Sequence, residues 1–350
     1  MSFLLFLVAS RRVLRAWAFP PAEAAAACMG FKCLLSSRSL IRVSGAAAHE
    51  FLQGLFTNDL RLLHPGGSIW GCFLYHTGRL MCDAYLYQLS RVHSGEVCIL
   101  VDVHRDVVDT LHDHLLDMRM RRRLQIDNAG KEFVVVAASS YGNGGIYEKE
   151  EEENEKKTPP LSCECETFMD PRSFAFPAPL HKSIFPLSKA PSVTDPVARY
   201  ETFLYSAGIG EGPDVFKPAK SFPFECNTDF LRGVSFHKGC YLGQELTHRT
   251  HVMLVTRKRT VPLKLPSFQE KTGGGRRSVE KGEALLIDGR KVGELLTVCG
   301  DVGLGLLRLR YVDAATRTAP GLGLKDDVPV AITIPGWWEE EEVKKMLSQP

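Results

Sequence analysis

The amino-acid sequence predicts an α+β protein that ends in a small β-barrel. In the larger amino-terminal part, β runs alternate with amphipathic helices in the order of split βαβ units, whose helices pack on one face of an antiparallel sheet. In the carboxyl-terminal part, short β runs follow one another with glycine turns between them, which is typical of a barrel. The 350 residues are 44% hydrophobic and 24% charged, which is enough for two or three cores.

The amino-terminal sequence predicts a segment that targets the chain to an organelle. The first 42 residues hold six basic side chains and one acidic side chain. In a helix, Arg11, Arg12 and Arg15 share one face and apolar side chains lie opposite, as in a mitochondrial transit peptide. A secretory signal would place its charges before the apolar stretch instead of after it. We therefore expect residues 1–36 to be a transit peptide that directs the chain to the mitochondrial matrix, and we expect no membrane span.

Residues 37–256 are expected to form the α+β region. A helix over 46–56, with Ser44 as its N-cap, presents a stripe of leucine and phenylalanine side chains. Two β runs at 69–75 and 80–89 meet in a hairpin turn. The next predicted elements are a strand at 97–101, a helix at 103–117 and strands at 122–127 and 132–138.

The periodicity then stops over 141–192. Residues 148–157 are almost all charged and seven prolines follow them, so we expect a mobile surface insertion and an irregular connector. A helix returns with Asp195 as its N-cap and Pro196 in its first turn, and it ends at Gly208.

Residues 257–350 are expected to form the barrel domain and an acidic tail. Glycine turns separate the β runs of this part, which is typical of a small antiparallel barrel. The runs cover 260–265, 283–287, 291–298, 302–309 and 328–334.

Composition and spacing argue against several functions. The formal charge of +2 gives no attraction of the whole chain to nucleic acid or membranes. The basic stretches 119–123 and 257–259 lack interleaved aromatic residues. We expect them on solvated strand edges or at a site for a folate tail, so RNA binding is only a third hypothesis. Cys240 with His237, His248 and His251 imitates a zinc site, but the spacings are too short, and a polar strand face is expected for the last two histidines.

The densest cluster of unusual residues lies at 233–251. Gly239 and Gly243 flank Cys240, and glycine lets a ligand approach the main chain closely. Lys238 would favour the thiolate, the nucleophilic and metal-binding form of cysteine. The alternative is a tight turn between a helix and a strand in which Cys240 is a small buried side chain.

The sequence Lys-Gly-Cys-Tyr-Leu-Gly-Gln-Glu at 238–245 resembles the signature of the folate-binding YgfZ family, whose relatives include the glycine-cleavage T-protein, an aminomethyltransferase. With the amino-terminal leader and the flank at 247–259, the similarity is greatest to the mitochondrial iron–sulfur cluster assembly branch of this family. Further matching motifs are Val43-Ser44-Gly45, Phe51-Leu52-Gln53-Gly54, Thr57-Asn58-Asp59-Leu60, Gly78-Arg79-Leu80 with Asp83, Asp170-Pro171-Arg172 and Gly303-Leu304-Gly305-Leu306-Leu307-Arg308.

The resemblance implies a T-protein-like ring of split βαβ-type folate-binding domains with a small barrel at the carboxyl end. It also implies a role in the late maturation of [4Fe-4S] proteins together with an A-type scaffold protein, with Cys240 as the functional thiol. Because the irons of a cluster need several thiolates, one cysteine cannot hold a cluster alone. We therefore expect Cys240 to bind iron in a transient cluster that it shares with the partner.

The resemblance further implies tetrahydrofolate as a ligand. A pterin needs a carboxylate or amide at its edge, an aromatic surface, and cations for the glutamate tail. The candidate binding residues are Lys238, Gly239, Tyr241, Gly243, Gln244, Glu245, Glu225, Asn227 and Arg249. Enzymatic relatives carry an Asp-Asp pair where this chain has Cys82-Asp83, and the missing carboxylate argues against an ordinary enzyme. A tetrahydrofolate-dependent one-carbon (aminomethyl) transferase, with Asp83 near the folate and Cys240 structural, is the alternative.

Overall fold

The computed structural model describes residues 30–90, 97–139, 165–253, 256–265, 279–313, 318–341 and 343. Within these ranges the chain forms three β-sheets and four α-helices. The α+β class and the barrel that the sequence predicts are confirmed. No helix of this described part is long and apolar enough to cross a membrane.

The first sheet has five strands in the order β3-β4-β5-β2-β6, and all its neighbours are antiparallel. Helices α1 (Ala48–Gln53) and α2 (Val108–Arg119) contribute apolar side chains to the core of this sheet. The core side chains of α2 repeat at helical spacing, which is why this stretch is predictable from the sequence. The strands are β2 (Arg38–Ser44), β3 (Ser68–Leu74), β4 (Leu80–Gln88), β5 (Cys98–His104) and β6 (Gln125–Asn128).

The second sheet has four antiparallel strands in the order β1-β7-β9-β8. Its buried side chains join helix α3 (Val197–Ser206) and the first sheet in one core. The strands are β1 (Phe31–Leu34), β7 (Phe133–Ser139), β8 (Glu166–Met169) and β9 (Leu180–Pro186).

The third sheet is the carboxyl-terminal barrel, with the strand order β15-β14-β11-β12-β13-β10-β16. Its terminal strands, β15 and β16, are separated by one residue of the chain, so the sheet is nearly closed on itself. The strands are β10 (Lys258–Lys264), β11 (Ala284–Ile287), β12 (Arg290–Cys299), β13 (Val302–Arg308), β14 (Gly323–Leu324), β15 (Val328–Pro329) and β16 (Ala331–Ile332). Helix α4 (Gln244–Met253) precedes the barrel.

Two predicted helix caps are wrong. Ser44 is the last residue of β2, and helix α1 begins after Ala47 without a side-chain cap. Asp195 does not cap helix α3, because its carboxylate accepts hydrogen bonds from the Lys32 main-chain nitrogen at 2.9 Å and the Arg199 guanidinium at 2.7 Å. In both cases the residue contacts a distant part of the chain, through strand pairing for Ser44 and through Lys32 for Asp195, and this contact overrides the local capping preference.

The connector predicted to be irregular is only partly so. Strands β8 and β9 lie within 141–192, where prolines disfavour regular structure. Strand β9 is stabilised because β7 and β8 pair with it on its two sides. The charged run at 148–157 and the predicted mobile insertion around it lie outside the described residues.

Strand β1 overlaps the end of the predicted transit peptide. Phe31 and Cys33 are buried, and the whole strand pairs with β7. A leader ending at residue 36 would remove this strand from the folded chain. A leader that ends before Phe31 is compatible with the fold.

Candidate functional site

Cys240 lies in an exposed loop that precedes helix α4. Its side chain is exposed, and so is its neighbour Gly239. A Cβ atom added to Gly239 would meet no atom of the described residues within 4 Å. Within the described part of the chain, the thiol therefore lies on an open surface, as the functional prediction requires.

Lys238 ties this loop to the chain after helix α1. Its Nζ donates hydrogen bonds to the carbonyl oxygens of Gln53, Phe56 and Asn58 at 2.6, 2.6 and 3.0 Å. It also lies 4.9 Å from the centroid of the Tyr241 ring. Burial lowers the pKa of Lys238 to about 8. The ammonium that the sequence suggests as a partner of the thiolate is thus directed at main-chain oxygens.

The carboxyl-terminal side of the loop is also anchored. The Tyr241 main-chain nitrogen donates to Gln244 Oε1 at 3.1 Å, and the Leu242 nitrogen donates to the Gly54 carbonyl at 3.0 Å. Gly243 has a φ of +79°, a conformation that favours glycine. The signature is therefore held on both sides of Gly239 and Cys240.

Two histidines of the imitated zinc site, His248 and His251, lie on a helix, so the strand face predicted for them is wrong. Glu245, His248 and His251 belong to α4 and are exposed, and the next strand begins only at Lys258. The His251 ring stacks on Phe236 with centroids 3.6 Å apart and planes 9° apart. In the described ranges, no group of three or more His, Cys, Asp or Glu side chains is placed to hold a metal ion.

A second set of polar side chains, the central cluster, is buried where the first two sheets face each other. Strands of both sheets, helix α3 and neighbouring loops supply its members. They are Arg38, Asp83, Tyr85, Asp102, Asp170, Arg172, Lys182, Tyr200 and Glu211.

Glu211 is the acceptor at the middle of the central cluster. Its Oε1 accepts hydrogen bonds from Arg172 Nη2 at 2.6 Å, Lys182 Nζ at 3.2 Å and the Tyr200 hydroxyl at 2.8 Å. Burial by itself raises the pKa of Glu211. The charges of Lys182, Arg172 and Arg38 outweigh this effect and hold the pKa well below its ordinary value. Glu211 is therefore an ionised carboxylate in a buried site.

Arg38 connects two further carboxylates. Its Nε donates to Asp102 Oδ1 at 2.7 Å, and its Nη1 lies 3.5 Å from Asp83 Oδ2 and 3.7 Å from Glu211 Oε2. Asp83 Oδ1 accepts a hydrogen bond from the Gly212 main-chain nitrogen at 2.9 Å. Burial raises the pKa of Asp83. Asp83, the residue predicted to lie near a folate, is thus a member of the central cluster.

Four polar atoms in and beside the central cluster have no hydrogen-bond partner in the part of the chain that the structure describes. They are Arg38 Nη1, Asp83 Oδ2, Arg172 Nη1 and Trp70 Nε1. Arg172 stacks over the Trp70 ring at 5.1 Å from its centroid. Because unpartnered buried polar atoms are costly, these atoms suit a ligand that offers both donors and acceptors beside an aromatic surface.

The other predicted folate residues contact different parts of the fold. Glu225 Oε2 accepts from the Phe222 main-chain nitrogen at 3.1 Å, and burial raises its pKa. Asn227 Nδ2 donates to the Thr260 carbonyl in the barrel at 2.8 Å. Arg249 is exposed on α4. Their part in folate binding, like that of Tyr241, stays a prediction.

The second basic stretch is not a surface strip. Arg259 is buried, and its guanidinium donates to the Asp229 carboxylate at 2.7 and 2.8 Å and to the Phe224 carbonyl at 2.9 Å. The solvated strand edge expected for 257–259 is therefore wrong at this residue. Residues 121–123 of the first stretch are exposed, which leaves one short basic segment for an RNA phosphate.

Several members of the central cluster escape prediction from the sequence. Arg38 lies close to the predicted leader, and Glu211 and Lys182 stand in no recognisable motif. Asp170 and Arg172 appear among the matching motifs, but without an assigned role. The contacts of Arg38 with Asp102 and of Arg172 with Glu211 join residues 64 and 39 positions apart, so no local pattern reveals them.

Comparisons with known proteins agree with this architecture. A family model for the carboxyl-terminal β-barrel domain of CAF17 matches residues 257–340. Among solved structures, the glycine-cleavage-system aminomethyltransferase T of Bartonella henselae superposes with a TM-score of 0.61 over 89% of this chain and 87% of its own. It is 13% identical in sequence, so this likeness concerns the fold.

Two relatives show which family the chain belongs to. The mitochondrial iron–sulfur cluster assembly factor IBA57 of Mus musculus is 30% identical over 325 residues, which are 87% of this chain and 84% of the relative. The Homo sapiens protein of the same name is 30% identical over 338 residues, which are 91% of this chain and 87% of the relative. On this identity and coverage, the chain belongs to the IBA57 family of mitochondrial iron–sulfur cluster assembly factors.

Proposed function

We propose that this protein acts in late mitochondrial iron–sulfur cluster assembly, in the matrix, and that Cys240 supplies one thiolate to a cluster shared with an A-type scaffold protein. The cluster is cargo, destined for [4Fe-4S] proteins. The exposed position of Cys240 in an anchored loop supports this proposal most directly. Membership of the IBA57 family supports the assembly role over aminomethyl transfer.

The cysteines of the described part favour a shared cluster over a resident one. Cys240 and Cys165 are exposed there, whereas Cys299 is half-buried and the rest are buried. Burial raises the pKa of Cys72 and Cys226 well above its ordinary value, which keeps these thiols protonated and poor ligands. Because a cluster needs several thiolates, a partner has to supply the others.

Cys240→Ala is expected to abolish the shared cluster without unfolding the protein. The test is anaerobic reconstitution with an A-type scaffold, read by visible absorption and native mass. Cys165→Ala is the matched control, because Cys165 is also exposed but lies outside the signature. A heteromeric species with iron and sulfide is expected for wild type and the control only. Formation of that species by Cys240→Ala would overturn the proposal.

We also propose that tetrahydrofolate binds at the central cluster. The unpartnered atoms of Arg38, Asp83 and Arg172 offer two cationic donors and one acceptor, and Trp70 offers a ring. These groups match the polar edge and flat face of a pterin. When bound, tetrahydrofolate would supply one-carbon chemistry. The chain's own residues would orient its ring through the donors of Arg38 and Arg172 and the Asp83 acceptor.

Asp83→Asn is expected to weaken tetrahydrofolate binding at least about tenfold, because it removes the carboxylate acceptor that this site offers to the ligand. Anaerobic calorimetry measures the affinity. Asp127→Asn on strand β6 is the control, since the Asp127 side chain is half exposed. Equal affinities for the two variants would remove Asp83 from the proposed site.

A further inference from the structure

We infer that Lys238 is the positioning residue of the Cys240 loop: its ammonium fastens the loop to the main chain after helix α1 and so presents the thiol in one orientation. The inference rests on the proposed role of Cys240 and adds how that thiol is held. It assigns Lys238 a different role from the charge partner of the thiolate that the sequence suggests.

Three carbonyl oxygens converge on one nitrogen. The Gln53, Phe56 and Asn58 oxygens lie 2.6, 2.6 and 3.0 Å from Lys238 Nζ. An ammonium has three N–H donors and no acceptor, so each of the three carbonyls can accept one hydrogen bond. Gln53 is the last residue of helix α1, where carbonyls lack intrahelical partners and the helix dipole favours a cation.

The anchor spans two distant parts of the chain. Lys238 and its carbonyl partners are 180 or more positions apart in sequence. The Leu242 nitrogen adds a hydrogen bond to Gly54 in the same segment. Gly239 and Cys240 lie between these two attachment points and are exposed. Because the loop is already fixed at both ends, less conformational entropy is lost when a partner binds the thiol between them.

A compact three-donor group is essential to this arrangement. The arginine guanidinium is a planar fork that suits carboxylates, and it cannot direct three donors from one atom. Lys238→Arg therefore keeps the charge but loses the anchor, and Lys238→Met keeps the length but loses charge and donors. If Lys238 only supplied positive charge to the thiolate, the Lys238→Arg variant would keep its function.

Amide hydrogen exchange tests the anchor directly. In Lys238→Met and Lys238→Arg, the protection factors of the Tyr241 and Leu242 amides are expected to fall at least about tenfold, since hydrogen bonds to a charged donor are lost. The amides of strands β4 and β5 should keep their protection. Lys131→Met, a change at an exposed lysine, is the matched control. The yield of shared cluster with an A-type scaffold should fall in both Lys238 variants and not in the control.

Two results would overturn the inference. One is wild-type protection and cluster yield in Lys238→Met. The other is full restoration of both by Lys238→Arg, which would leave charge as the sole contribution. If wild type itself forms no shared cluster, the proposed function fails, while the exchange data still decide the role of Lys238.

A milder substitution keeps the inference testable if those two Lys238 variants do not fold. In Lys238→Gln the side-chain amide offers two donors for three carbonyls, so the protection factor of the Leu242 amide is expected to fall. Unchanged protection in Lys238→Gln would contradict the anchor.

Discussion

Replacing Arg172 by Met is expected to lower the free energy of unfolding by about 3–5 kcal/mol, because it leaves the buried Asp170 carboxylate without its cation and removes one of the cations beside Glu211. The Arg172 side chain is 0% exposed and donates to Asp170 Oδ2 at 2.9 Å and to Glu211 Oε1 at 2.6 Å. Methionine fills a similar volume but donates no hydrogen bond. Urea denaturation followed by circular dichroism measures the difference.

A second Arg→Met substitution, at an exposed ion pair, is the control for the effect of losing an arginine as such. Arg42 also pairs with a carboxylate, Glu132, at 2.7 Å, but the two side chains are 29% and 48% exposed. Arg42→Met should therefore cost less than about 1 kcal/mol. Equal losses for the two variants would show that the central cluster adds no more stability than a surface ion pair.

Gly243→Val is expected to have the second largest effect, with a loss of at least about 2 kcal/mol and a displaced Cys240 loop. Gly243 has a φ of +79°, which a β-branched side chain adopts only under strain. An added Cβ would overlap the Tyr75 carbonyl oxygen and lie 3.0 Å from Leu74 Cβ. Denaturation measures the stability, and reconstitution with an A-type scaffold measures the yield of shared cluster, which should fall with it.

The other glycine of the signature serves as the control. Among the residues that the structure describes, a Cβ on Gly239 meets no atom within 4 Å, so Gly239→Ala should change the free energy of unfolding by less than about 0.5 kcal/mol. A destabilised Gly239→Ala or an unchanged Gly243→Val would contradict the strain argument. The two substitutions thus distinguish a glycine that the fold requires from one that it tolerates.

Local patterns in the sequence determine most of the first sheet and the barrel. The hairpin of β3 and β4, helix α2 and the strands from β10 to β13 follow from periodicity and turn residues, which act between near neighbours. Strands β8 and β9 were not predictable, because they lie in a stretch with many prolines and no clear periodicity, and pairing within a sheet stabilises them. The helix that carries His248 was missed for a related reason, since its low apolar content gives no helical stripe.

The sequence by itself also determines the family and singles out Cys240 as the candidate thiol, because the signature around it is contiguous. Only the tertiary structure decides what surrounds these residues. It brings Lys238 to the carbonyls after helix α1, and it joins Arg38, Asp83 and Glu211 from separate elements into a buried ion network. Contacts between distant positions leave no periodicity in the chain, so the sequence does not reveal these pairs. The pairs form only when folding brings the charged and hydrogen-bonding groups within a few ångströms of each other.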